Sequence, residues 1–120
     1  MKQSKIIQAY KATEELANIT SFTTKDQWQI YTLRKALRPH VEFQQEREKA
    51  LAEKYAKYAD DKGVISGQRY IDYTKELAEL GQMDVELDVN PIKLTLAEGV
   101  TFKTIEALEG FVEFEPKESE

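Results

Sequence analysis

KDQWQIYTLRKALRPHVEFQQEREKALAEKYAKY, residues 25–58, decides the architecture. Ile30, Leu33, Leu37 and Val41 recur at helical spacing and form one stripe. Leu51, Tyr55 and Ala59 rejoin that stripe in phase, but between them the same face carries Gln44 and Glu48. Trp28 points nearly opposite the stripe, and Phe43 lies well to its side. A helix with apolar residues on more than one face asks for packing partners on more than one side. Pro39 removes a backbone donor and disfavours helical geometry at Arg38, so a kink or a break is expected there. The resumed phase favours the kink.

Two shorter helices are placed to cover this one. Ile6, Ala9, Tyr10, Thr13, Leu16 and Ala17 define a first helix from about Lys2 to Asn18. Ile19–Thr24 is β-branched and hydroxylated and reads as a turn, with Thr24 and Gln27 as a capping box opening helix 2. Asp60, Asp61 and Gly63 end helix 2, and Ser66 is positioned to cap a third helix. Tyr70, Tyr73, Leu77 and Leu80 form its stripe, and Gly81 follows it as a C-terminal residue. Fully helical, the central segment would run on the order of 50 Å, about twice helix 1. Antiparallel packing about a turn near Phe22 sets Tyr10 opposite Leu33 or Arg34, and Ile6 opposite Leu37 or Arg38. Helix 1 then runs out near Val41, and helix 3 must cover the rest, with Tyr73 opposite Leu51. The polar gap at Gln44–Lys49 falls where the two covering helices meet.

After Met83 the apolar period changes to two. Val85, Leu87 and Val89 alternate with acidic residues, and Ile92, Leu94 and Leu96 alternate out of phase across Asn90-Pro91. This predicts an extended ribbon bent at Pro91, with room for a small edge sheet. Phe102, Ile105 and Leu108 mark a short helix over about 101–109, ended by Gly110, and Phe111–Phe114 is a last apolar segment. The expected fold is therefore α+β and predominantly α-helical: a long central helix flanked by two helices, with a C-terminal extended ribbon and a short helix. One domain spans 1–120, helical over about 1–82, extended with a short helix over 83–115, and ending in a frayed acidic tail at 116–120.

Composition removes several classes of function. The net charge of −5 and the acidic end EFEPKESE oppose binding driven by phosphate neutralisation, so no nucleic acid is expected. Arg47, Lys49 and Lys54 are interleaved with Glu46, Glu48 and Glu53, as on a solvated helix face. No apolar run is long enough to span a membrane. MKQSKIIQAYKATEEL lacks an apolar core and cleavage site for secretion. With no cysteine in the chain, the expectation is cytoplasmic.

No recognisable catalytic set emerges. ADDKGVIS resembles part of a calcium loop, but aligning Gly63 with the loop glycine puts Tyr58, Lys62 and Arg69 where ligands belong. A turn between helices is the better reading. His40 is the single histidine, without a second His or Cys to complete a zinc site. Glu14, Glu15, Glu46, Glu48, Glu76 and Glu79 sit in charged helices as hydrated surface. Tyr55, Tyr58, Tyr70 and Tyr73 gather near the helix 2–helix 3 turn, as a core margin whose hydroxyls reach water. Trp28 and Phe43 remain as the candidate protein-interaction surface. Neither a cofactor nor a metal is expected, and no enzymatic activity.

In its order of features the chain resembles a family of small phage and prophage proteins. The resemblance lies in IIQAYKATEEL, the Glu/Lys-rich EFQQEREKALAEKY, the extended VELDVNPIKL and the terminal IEALEGFVEFE. Pro39 and Asn90-Pro91 depart from that pattern. The resemblance implies a phage or prophage origin and supplies no activity or binding residues. The expected role is a non-enzymatic accessory protein acting through protein–protein contacts, in virion assembly or a related task. The alternative is a small regulator that inhibits a host protein. The partner is then a phage or host protein, and a homodimer through helix 2 is a further expectation.

Overall fold

A computed structural model describes residues 1–116. In chain order it contains α1 (Gln3–Ala17), α2 (Thr24–Ala56), α3 (Gly67–Gln82), β1 (Ile92–Thr95), α4 (Phe102–Ala107) and β2 (Val112–Glu115). The predominantly helical α+β class is as expected. The 33 residues of α2 set the long dimension of the molecule, 63 Å against 30 and 20 Å.

The core lies around the first half of α2. Ile6, Ala9, Ala12 and Leu16 of α1 bury against Ile30, Leu33 and Leu37. Each large aliphatic side chain buried there contributes about 1.5–3 kcal/mol. The register is the one the turn geometry requires. The Arg34 guanidinium donates to the Tyr10 hydroxyl at 3.3 Å and sits 5.0 Å above its ring. The buried Gln3 amide donates to the His40 carbonyl at 2.8 Å, so α1 begins at the level of His40. There it meets the end of α3: the Gln3 N–H donates to the Met83 carbonyl at 2.9 Å, and Lys2 bridges Asp84. Beyond this junction α2 continues with α3 alone as a two-layer hairpin. Leu51 and Tyr55 are buried in it, and Tyr73 meets Tyr55 edge-on at 5.2 Å. With no third layer among the described residues, α3 buries no residue completely.

The C-terminal segment closes the core. β1 and β2 pair in parallel, Ile92 with Val112 and Leu94 with Phe114. Parallel strands need a crossover, and α4 provides it. Ile92, Leu94, Leu108, Phe111 and Val112 enter the main core. Thr101 caps α4 by accepting the Thr104 N–H at 3.2 Å, and the Thr104 hydroxyl donates to the Glu15 carboxylate, tying α4 to α1.

Several local expectations are corrected. The cap of α2 is Thr23: its backbone is extended and its hydroxyl accepts the Asp26 N–H at 3.2 Å, while Thr24 is already helical. Pro39 needs no such correction: of the break and the kink, the break does not occur, and α2 runs through the proline as the resumed phase favours, with the ring exposed. Gly81 lies inside α3, which continues to Gln82 and stops at extended Met83, where the chain turns to meet Gln3. Ser66 occupies the N-cap position without a side-chain cap bond. Val85, Leu87 and Val89 pack half-buried against the core but form no strand, and the strand partner of β1 is the last apolar segment. Tyr70, expected on the α3 stripe, is exposed because the hairpin has too little depth to cover it. The expected frayed tail, Pro116 apart, lies outside the described residues.

Candidate protein-interaction surfaces

The outer side of α2 carries its largest exposed side chains. Trp28 is 61% exposed and Tyr31, one turn on, is 49% exposed. Their rings stack at 5.4 Å with planes 29° apart. The stacked rings form one continuous aromatic ledge. Lys35 and Arg38 follow Tyr31 at i+4 and i+7, both exposed, so the ledge continues into cationic side chains on the same side of the helix. The ribbon covers none of this, since Val85, Leu87 and Val89 pack on the core.

Phe43 is also exposed, at 42%. It lies fifteen residues beyond Trp28. That spacing is roughly 22 Å along a helix axis. The structure therefore leaves both expected surface residues open but does not bring them into one patch. Tyr31 was not legible as a site residue beforehand. The signal was its i, i+3 spacing from Trp28, which stacks two aromatic rings on one helix face.

The tyrosine cluster at the hairpin is internally satisfied. Lys54 forms an ion pair with Glu76 at 2.9 Å. A hydrogen bond to the Glu76 carboxylate, followed by burial, pushes the Tyr55 phenol up to about 12. The Lys54 ammonium, followed by Tyr55, holds Glu76 below the usual carboxylate value. Arg69 sits 4.1 Å above the Tyr58 ring. Among these residues only Tyr70 is left open.

The remaining candidates have structural roles. The Asp60 carboxylate accepts the N–H groups of Lys62 and Val64, each at 2.9 Å, and so fixes the α2–α3 turn. His40 is half-buried, with its carbonyl held by Gln3. Among the described residues no group of three or more His, Asp or Glu side chains is placed to hold a metal ion, and no helix is long and apolar enough to cross a membrane.

Compared with protein families, curated proteins and solved structures, the chain finds no match.

Proposed function

We propose that the chain is a non-enzymatic accessory protein of phage or prophage origin that acts in the bacterial cytoplasm by holding another protein against the outer face of α2. The supporting observation is the stacked Trp28–Tyr31 ledge, solvent-exposed on the part of α2 whose other side is held in the core through Ile30, Leu33 and Leu37. Trp and Tyr are enriched among the residues that carry most of the binding energy of protein interfaces. The partner that fits has an apolar pocket for the indole and carboxylates facing Lys35 and Arg38. The phage or prophage origin rests on the order of IIQAYKATEEL, EFQQEREKALAEKY, VELDVNPIKL and IEALEGFVEFE along the chain.

The test is quantitative affinity capture from phage-infected cells with the wild type and Trp28→Glu in parallel. A defined protein held by the wild type and lost from the variant, with both equally folded by circular dichroism, supports the reading. An identical captured set from both refutes it for this surface.

A further inference from the structure

A second surface lies on the β1–α4–β2 unit. Thr104 and Leu108 turn α4 into the core, so the residues on its other side face out. An open cleft of about 630 Å³ runs between this side of α4 and β2. Phe102, 81% exposed, Ile105 and Phe114 form its apolar surface. Glu106, Glu109 and Glu113 rim it, and none of the three is ion-paired among the described residues.

The cleft is bounded by a strand edge. Ile92 donates to the Phe111 carbonyl at 3.0 Å and Leu96 to the Glu115 carbonyl at 2.7 Å. By the alternation of a parallel ladder, residues 111, 113 and 115 turn their peptide groups to β1, and Val112 and Phe114 turn theirs away. The Val112 N–H is taken by the Leu108 carbonyl at 3.0 Å. The sheet has two strands only, so the Val112 carbonyl and both peptide groups of Phe114 meet no further strand among the described residues. Such an edge is a template for an added strand.

We propose that this cleft receives an extended segment of a partner protein, paired along the β2 edge, with an apolar side chain against Phe102 and Ile105 and lysine or arginine residues facing the three glutamates. Strand pairing supplies the backbone hydrogen bonds, the cleft selects an apolar side chain, and the rim selects cationic flanks. The proposal rests on the reading of the chain as a protein-binding protein but uses a surface remote in sequence from Trp28, so the two are tested separately.

The probe is a capped seven-residue peptide alternating lysine with valine and phenylalanine, titrated into the whole protein and followed by backbone NMR. Shifts confined to β2 and α4 are expected. Replacing Glu106, Glu109 and Glu113 together by Gln should weaken binding about tenfold. Replacing Glu42, Glu46 and Glu53 on α2 by Gln should leave it unchanged. Phe102→Ala, at an exposed position that does not carry the fold, should weaken it about tenfold as well. A peptide N-methylated on the strand-pairing side should fail to bind. No binding, equal binding of the glutamate counterpart, or equal loss from the α2 substitutions would overturn the proposal. Self-association that is dissolved by the three cleft Gln substitutions would overturn it too, by making a second copy the occupant. Loss of partner capture in Trp28→Glu with peptide binding intact would bear on the α2 face alone.

Discussion

Leu33→Ala and Leu51→Ala should separate the two halves of α2. Both leucines lie on one stripe, but their surroundings differ. Leu33 is 1% exposed within the cluster shared by α1, α2 and the C-terminal strands. Deleting its side chain there leaves a cavity bounded on several sides, and the expected loss is about 3–4 kcal/mol. Leu51 is 7% exposed and lies outside that cluster, in a hairpin whose second helix buries nothing completely. The site can collapse, and the expected loss is about 2 kcal/mol, the low end for a buried leucine. For a chain of this size the Leu33 variant should melt roughly 10–15 °C lower. Urea denaturation by circular dichroism measures both losses, and amide exchange locates them. Leu51→Ala should speed exchange in α3 and leave α1 protected; Leu33→Ala should speed both. A loss at Leu51 equal to or larger than that at Leu33 would refute the two-layer picture of the hairpin.

Pro39→Ala should stabilise the protein by about 1–3 kcal/mol, because the ring is exposed and the missing N–H lies inside a continuous helix; an unchanged or lower urea midpoint would show that the ring is needed. Trp28→Glu should leave the urea midpoint within about 0.5 kcal/mol of wild type, since the indole is largely in water. If two copies pair through this face, light scattering should show a concentration-dependent dimer that Trp28→Glu dissolves, and a monomer at high concentration would exclude it. The hairpin should loosen at both ends of the pH scale. Tyr55 is raised to about 12 from 10.0, so its contribution is complete below pH 10 and falls as pH rises toward 12. Glu76 is lowered, so its contribution is complete above the ordinary carboxylate value and falls as acid protonates it. Exchange of α3 amides at pH 9 and pH 11 checks the alkaline limb, which Tyr55→Phe should flatten.

Much of the helical half was legible because its signals are periodic. The stripe through Ile30, Leu33 and Leu37, and the reach of a helix half as long, were enough to set Tyr10 opposite Leu33 or Arg34, where it meets Arg34, and to predict that α1 and α3 meet end to end along α2; the junction falls at His40, four residues short of the polar stretch where it was expected. What failed depended on contacts that no local pattern encodes. Gly81 looked like a helix stop, but a Cβ there would lie 3.7 Å from Ser4 Cβ, ordinary contact distance, and the helix continues until Gln3 takes the Met83 carbonyl. Val85, Leu87 and Val89 alternate like a strand, but the edge that β1 needs is filled by residues about twenty positions later, across α4. Of the candidate surface, Trp28 and Phe43 could be found from their angle on the helix. Tyr31 needed the stacking geometry, and Phe102 needed the direction that Thr104 and Leu108 impose on α4.

A photo-cross-linking amino acid placed at position 28 tests the proposed role of the α2 ledge most directly. The variant would be expressed in the bacterial host and irradiated during phage infection. A second would carry the cross-linker at exposed Glu53 of the hairpin for comparison. The account predicts one discrete cross-linked protein at position 28 and none of that mass at position 53. Absence of a discrete product at position 28, or the same product at both positions, would contradict it.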